Sequence, residues 1–495
     1  MALSSFGVPA QAKRSLPMTS DAKNAFTFNE ELQTEFARLS GDWNPMHMNT
    51  ASARRTQAGR RVVHGVHIVV CALDYVASLS GSLSLPTSLG TRFVKPVYVG
   101  ESVQFRETFR TNSDLRLEAL VEGIVVAEAD ITLGGTHRIS RSARPEYGLS
   151  DEPVCHELTL EEIAGRAGRV HLVATEDELA HHFPNAVNWL GAEVVGGLIC
   201  LSRLVGMECP GLHSLFSSFT VEFPAAGTPP SLEYRVVSLD KRFRLVKIEV
   251  NGCGLRGTVA AFARHPPAVQ TSYKELLAIV SPNEFQGQRA LVIGGSRGLG
   301  EFTAKALAAG GGVPTITYAT GKEDADRVAD EIRQSGGSCD VMKYDIHTQA
   351  SQQLEVVSSF VPYLYYYATC QIFCRRTKRF DPSLLEEFLK FYVTGFYDLC
   401  AALRSKRENG FFSAFYPSSI AVADRPRDMT EYAMAKAAGE VLCTDLHRFW
   451  PGIHIISVRL PRLLTDQTAT MFPTATASTV DLILPIIRDV QSVRV

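Results

Sequence analysis

Apolar residues fall into different patterns along the chain, and the changes between them mark out its parts. Phe26, Phe28, Leu32 and Phe36 recur at near-helical spacing and predict a helix over about 26–39. The run from Val66 to Val76 is almost wholly apolar and predicts one long helix. Strand-like runs follow at 91–94, 102–109, 115–121 and 125–133, bounded by the turn signals Lys95-Pro96, Gly100 and Asn112-Ser113-Asp114. Together these predict a helix wrapped by an antiparallel sheet. The same order then recurs: 193–205 mimics the helix, and 214–223 followed by Pro224 mimics the next strand, so an internal repeat is expected over about 25–265. After a proline-flanked helical connector at 273–280 the pattern changes class. A buried strand at 289–293 enters a glycine-rich turn and a helix at 301–309, then strand, helix and strand alternate through 314–318, 322–335 and 339–344. Such alternation is what a parallel sheet requires.

The 495 residues divide accordingly into a flexible leader (1–24), a first sheet-and-helix unit (25–145), its copy (146–268), a linker (269–286) and an α/β unit (287–495). Lys and Arg number 50 against 52 Asp and Glu, a balance without the basic footprint of a nucleic-acid or anionic-membrane binder. No apolar stretch reaches the roughly 20 residues of a spanning helix, and the first 25 residues lack a signal-peptide core, so a soluble, cytoplasmic protein is expected. Ten cysteines without CxxC or CxxH spacing predict buried thiols, with neither a disulfide framework nor a bound metal.

Candidate chemistry begins at Ser40-Gly41-Asp42-Trp43-Asn44-Pro45-Met46-His47, followed at His64-Gly65 by the long helix. An acid and an imidazole five residues apart, on a turn set by Gly41 and Pro45, can address one water. Gly65 at a helix start leaves backbone N–H groups free to face an oxygen. This S-G-D-x-N-P-x-H pattern with a later H-G resembles the MaoC-like, R-specific enoyl-CoA hydratases. The resemblance implies a hotdog fold, hence a double hotdog over both copies, with Asp42, His47, Asn44 and Gly65 as catalytic residues. The second copy lacks the motif. Asp177 and His182 keep the spacing, but they sit in what reads as a capped helix start without Asn-Pro, so the copy is expected to shape a substrate tunnel. His64 and His67 read as structural or tunnel-lining.

The second chemistry combines the glycine turn Gly294-Gly295-Ser296-Arg297-Gly298-Leu299-Gly300 with Ser418-Ser419, Tyr432 and Lys436. A strand before the glycines and a helix after them make a phosphate cradle. Tyr432 and Lys436, four apart on a helix, share a face, so the ammonium can stabilise a phenolate. With Ser419 thirteen residues before Tyr432, the unit resembles the short-chain dehydrogenase/reductase family. That implies a Rossmann-type doubly wound sheet in which Tyr432 gives a proton to a ketone, Ser419 holds the carbonyl oxygen and Lys436 grips the nicotinamide ribose. It also implies a cofactor held by Gly294, Ser296, Arg297, Gly298, Leu299 and Gly300, with Asp345 at the adenine. The second strand ends without a carboxylate for a ribose hydroxyl, while Arg297 and Lys322 can meet a 2′-phosphate; NADPH is therefore expected.

Three positions depart from that family: Ile293 replaces a Thr, Tyr366-Tyr367-Ala368-Thr369 replaces Asn-Ala-Gly, and Tyr392 stands where a catalytic Asn is expected. The tyrosines at 363 and 365–367 read as a core strand or as a pocket wall, and the basic run 375–379 as a solvated face. The combined expectation is a bifunctional enzyme for β-carbon processing of an acyl-CoA or acyl-carrier-protein thioester. It would join 3-oxoacyl reduction to R-specific dehydration or hydration, and homo-oligomerisation is expected from the family. A hydratase with a non-catalytic reductase scaffold and a non-catalytic acyl-binding module stay open.

Overall fold

The structure is a computed structural model that describes residues 25–79, 84–135, 154–224, 228–357, 361–373, 379–406, 411–468 and 477–493. The expected leader and most of the basic run at 375–379 lie outside the described residues.

Ten strands form one continuous sheet. The first five are β1 (Ala25–Thr27), β2 (Leu85–Phe93), β3 (Ser102–Arg110), β4 (Asp114–Val121) and β5 (Ile124–Gly135); the second five are β6 (Ala167–Val170), β7 (Ser214–Glu222), β8 (Leu232–Asp240), β9 (Leu245–Gly252) and β10 (Leu255–Ala263). Their order is β1-β3-β4-β5-β2-β7-β10-β9-β8-β6, so the second half repeats the first, reversed about the β2/β7 seam. At that seam the strands run antiparallel, with Leu89 opposite Val221 and Thr91 opposite Phe219. Each half wraps one apolar helix, Gly65–Leu79 and Ala192–Arg203, whose sides are buried almost throughout. This is the double hotdog arrangement. A common core unites the two halves, since Val66 and Val69 belong to the same buried cluster as Val194 and Leu198.

Two expectations need correction here. The predicted helix at 26–39 begins only at Glu30, because Phe26 pairs with Val103 in the sheet and the Asn29 side chain accepts the Leu32 N–H at 2.9 Å, capping the helix there. The helix predicted over 193–205 ends at Arg203 and continues as a wider π-helical turn, Leu204–Glu208. Asp177 and His182 lie on the Glu176–His182 helix, whose Thr175 and Glu178 form a capping box, and His182 Nε2 lies 3.0 Å from Glu35.

The second sheet has six parallel strands: β11 (Arg289–Ile293), β12 (Val313–Tyr318), β13 (Asp340–Lys343), β14 (Tyr363–Tyr366), β15 (Phe412–Ser419) and β16 (Ile453–Leu460). Their order, β13-β12-β11-β14-β15-β16, reverses direction between β11 and β14. In such sheets ligands bind beyond the strand ends at the reversal. Tyr363, Tyr365 and Tyr366 are buried in β14 as core residues. Among the described residues no single helix is long and apolar enough to cross a membrane.

Candidate functional sites

The Glu30–Ser40 helix stops at Gly41, whose φ of 72° only glycine adopts without strain, and the chain turns into the Asp42 segment. Ser40 Oγ accepts the Asp42 N–H at 3.0 Å, and Asp42 Oδ1 accepts the Asn44 N–H at 3.2 Å. Asn44 then caps the short helix Pro45–Met48, accepting the Met46 N–H, and donates from Nδ2 to the Gly206 carbonyl at 2.7 Å. Asp42 and His47 are thereby fixed close together, both buried. One ligand atom each from Asp42, His47 and His64 lie within 4.8 Å of one another, a separation that a single water bridges.

Hydrogen bonding assigns the proton positions. His47 Nδ1 lies 2.8 Å from the Val62 carbonyl, which only accepts, so Nδ1 carries the proton and Nε2 is left as a base. His64 Nε2 donates to the Asp42 carbonyl at 3.0 Å, which withdraws that nitrogen from metal ligation. The His47 and His64 rings stack at 4.0 Å. Burial pushes the Asp42 carboxyl above its ordinary range; His47 and the Ser202 hydroxyl, which donates to Oδ2 at 2.6 Å, oppose that push. Burial pushes His47 down, against Asp42. Gly65 opens its helix, its N–H has no acceptor among the described residues, and a Cβ there would lie 2.7 Å from the Phe93 ring. A base, an acid and an unpaired helix-terminal N–H are the parts that addition or removal of water beside a carbonyl requires.

At the reversal of the parallel sheet lies a cavity of about 860 Å³. Its floor is the glycine turn. Gly294 has φ 76° and donates its N–H to Thr317 Oγ1 at 3.0 Å; a side chain on Gly300 would strike the Gly294 carbonyl; the helix Gly298–Ala309 starts there without a side-chain cap. Free N–H groups at a helix start, approached closely by backbone alone, fit a dinucleotide's pyrophosphate. Ser419, Tyr432 and Lys436 line the opposite side. The Ser419 hydroxyl hydrogen-bonds Tyr432 and lowers its proton affinity, but burial dominates and pushes the phenol up to about 12. Burial likewise brings the Lys436 ammonium down to about 7; Nζ donates to the Pro417 carbonyl at 2.7 Å and lies 3.8 Å from the centre of the Tyr392 ring.

Comparison with known proteins agrees with both geometries. Residues 9–129 match the MaoC like domain and residues 288–475 the short chain dehydrogenase family. The chain joins a MaoC-like domain to a short-chain dehydrogenase domain. An uncharacterised oxidoreductase of Escherichia coli (strain K12) is 28% identical over 202 residues, 37% of this chain and 78% of that protein. A mitochondrial 3-hydroxyacyl-[acyl-carrier-protein] dehydratase of Arabidopsis thaliana is 29% identical over 20% of this chain and 52% of its own. A 3-hydroxybutyryl-CoA dehydratase of Methylorubrum extorquens is 30% identical over 18% and 50% respectively. The chain therefore spans about half the length of these two dehydratases. A short chain dehydrogenase structure from Salmonella enterica serovar Typhi aligns at a TM-score of 0.37 with 18% identity, over 43% of this chain and 92% of that one.

Within the MaoC-like domain Asp42, Asn44 and His47 share one turn and its short helix, and Gly65 opens the helix just after His64, whose Nε2 bonds the Asp42 carbonyl. Within the short-chain dehydrogenase domain, Gly294, Ser296, Arg297, Gly298, Leu299, Gly300, Asp345, Ser419, Tyr432 and Lys436 all line the cavity. Lys322 does not. Its ammonium holds Asp326 at 2.6 Å on the outside of the Lys322–Gln334 helix, and its expected place is taken by Arg54. Lys436 is also not what tunes Tyr432, whose shift comes from burial and Ser419. Tyr392 occupies a π-helical turn, Lys390–Thr394, with its hydroxyl 2.5 Å from Thr369 Oγ1. Sequence reasoning missed Ser202, Gly206 and Arg54, because each reaches its site from a distant part of the chain.

Proposed function

We propose that the protein is a bifunctional enzyme of acyl-thioester β-carbon processing. Its short-chain dehydrogenase domain reduces a 3-oxoacyl thioester, and its MaoC-like domain removes water from the R-3-hydroxyacyl product or adds it to the enoyl form. The observation that carries this reading is the presence of two separately assembled sites in one chain: Asp42 and His47 converging with His64 within 4.8 Å, and Ser419, Tyr432 and Lys436 lining one cavity together with the glycine turn.

In the first site His47 Nε2 and the Asp42 carboxyl hold a water between them and move its proton, while the Gly65 N–H donates a hydrogen bond to the thioester oxygen and stabilises the negative charge that develops there. One such donor contributes on the order of 3 kcal/mol to the transition state. In the second, Ser419 orients the ketone oxygen and Tyr432 supplies its proton. A nicotinamide dinucleotide bound there supplies the hydride. NADPH is favoured because Ala319, Thr320 and Gly321 follow β12 without a carboxylate, and Arg297 lines the same region. The names of the two dehydratase relatives support an acyl thioester on CoA or acyl carrier protein.

The test is an absorbance assay with crotonyl-CoA, then with acetoacetyl-CoA and NADPH. Asp42→Asn is expected to lower hydration at least 100-fold and leave reduction unchanged, and Tyr432→Phe to do the reverse. Hydration without any NADPH oxidation would withdraw the reductase half of the proposal and leave a hydratase carrying a scaffold. Full hydration by Asp42→Asn would turn the first site into an acyl-binding module.

A further inference from the structure

A knot of charge lies where the hydratase half meets the nucleotide cavity. Arg54 ends the Thr50–Arg54 helix, whose N-cap Asn49 also terminates the Pro45–Met48 helix that bears His47, and Arg55 follows it. Both reach toward Asp324, in the first turn of the Lys322–Gln334 helix. Arg55 Nη2 pairs with Asp324 Oδ1 at 2.5 Å. Arg54 Nη1 stays 3.8 Å from Oδ2, beyond hydrogen-bonding range, and Oδ2 is buried without a hydrogen-bond partner. Arg297 donates to the Arg54 carbonyl and lies 3.4 Å from Asp466 Oδ2. Among the described residues three guanidinium groups thus face two carboxylates, which leaves an excess of one positive charge.

That unbalanced charge sits at an informative place. Arg54 lines the cavity, and a side chain on Gly321 would collide with its guanidinium, so Arg54 lies directly over the backbone that follows β12. In a doubly wound sheet this is where the substituent on the adenosine ribose is read. Arg54 makes no hydrogen bond from its guanidinium to any other described residue, so its donors stay available to the cavity.

We propose that Arg54, a residue of the hydratase half, is a ligand for the ribose 2′-phosphate of the cofactor bound in the reductase half, opposite Arg297. A phosphomonoester dianion supplies the missing counter-charge, and the planar fork of a guanidinium matches its oxygens. The nucleotide site is then complete only when both halves are folded together. This inference rests on the NADPH reading above.

Full-length protein is titrated with NADPH and with NADH, following nucleotide fluorescence, for the wild type, Arg54→Ala and Arg55→Ala. The wild type is expected to favour NADPH. Arg54→Ala is expected to weaken NADPH at least about tenfold and NADH less than about twofold, as loss of one charged phosphate contact requires. Arg55→Ala breaks the ion pair to Asp324 without touching the cavity and is expected to change both dinucleotides alike. Equal losses for the two dinucleotides in Arg54→Ala, no loss at all, or the same selective loss in Arg55→Ala overturns the proposal. A wild type that binds NADH as well as NADPH overturns the cofactor reading itself, before any variant is examined.

Discussion

Asp42 is caught between burial, which favours its neutral form, and four groups that favour its carboxylate: His47, the Ser202 hydroxyl, the Asn44 N–H and Arg203. A hydrogen bond to a buried charged group is worth about 1.5–3 kcal/mol, so Ser202 is a large part of what opposes the upward push of burial on Asp42. Ser202→Ala removes the donor and raises the Asp42 pKa. The carboxylate is then populated only at higher pH, and the acid limb of the hydration kcat/KM profile is expected to move upward by about one pH unit or more. An unmoved limb would mean that Ser202 merely packs against Asp42. Ser202 acts through Asp42 and is a positioning residue, so the pH profile is the informative readout and the loss of rate at one pH is not.

The elements show why part of this design is legible in the sequence and part is not. Gly41, Asn44 and Pro45 shape the catalytic turn from within a few residues, so the S-G-D-x-N-P-x-H spacing reports its geometry directly. The same holds for the glycine turn, where a side chain on Gly300 would meet the Gly294 backbone. Strands β3, β4, β5, β7 and the end of β2 were read from the sequence, whereas β8, β9 and β10 were left unread. The short strands β1 and β6 were also unread, having only three and four residues in which to alternate. What no local pattern could reveal is the π-helical turn Leu204–Glu208, which brings Gly206 against Asp42 from 164 residues away. A side chain on Gly206 would collide with the Asp42 carboxylate. Gly206→Ala is therefore expected to destabilise the double hotdog by about 1–3 kcal/mol, the usual cost of overpacking, and to displace Asp42. In urea unfolding with hydration assays alongside, both losses should appear together. Wild-type stability in this variant would show that the turn yields easily and that the close approach is incidental.

On the scale of the whole molecule the two halves differ in how they respond to acid. The first half buries His64 and His67 completely, and burial holds His64 well below the ordinary imidazole range and His67 down at about 3. Nδ1 of each ring is buried without a partner, His67 stacks on Phe36 with ring centres 4.4 Å apart, and the Asp42 carboxylate stays 3.9 Å from His64 Nε2, beyond hydrogen-bonding range. In the unfolded chain both protonate near pH 6.5. Between that pH and their folded values the unfolded state binds more protons, so stability is complete above about 6.5 and falls as the pH drops. Going from pH 7.5 to 5.5, each ring accounts for about 1.4 kcal/mol, roughly 3 kcal/mol for the pair. Trp43 and Trp189 report the hotdog half and Trp450 the reductase half, so tryptophan fluorescence in a Trp450→Phe background follows the first half alone. Its urea midpoint is expected to fall over this interval, and His67→Phe, which keeps the stacked ring and removes the titrating nitrogen, should cut the fall by about 1.4 kcal/mol. An equal fall in wild type and variant would mean that His67 takes up its proton in the folded protein as readily as in the unfolded chain. Because Arg54 and Arg55 lie on the segment just after His47, acid loosening of this half should also weaken NADPH binding. Loss of nucleotide fluorescence in step with the hotdog midpoint would tie the two halves into one cooperative machine.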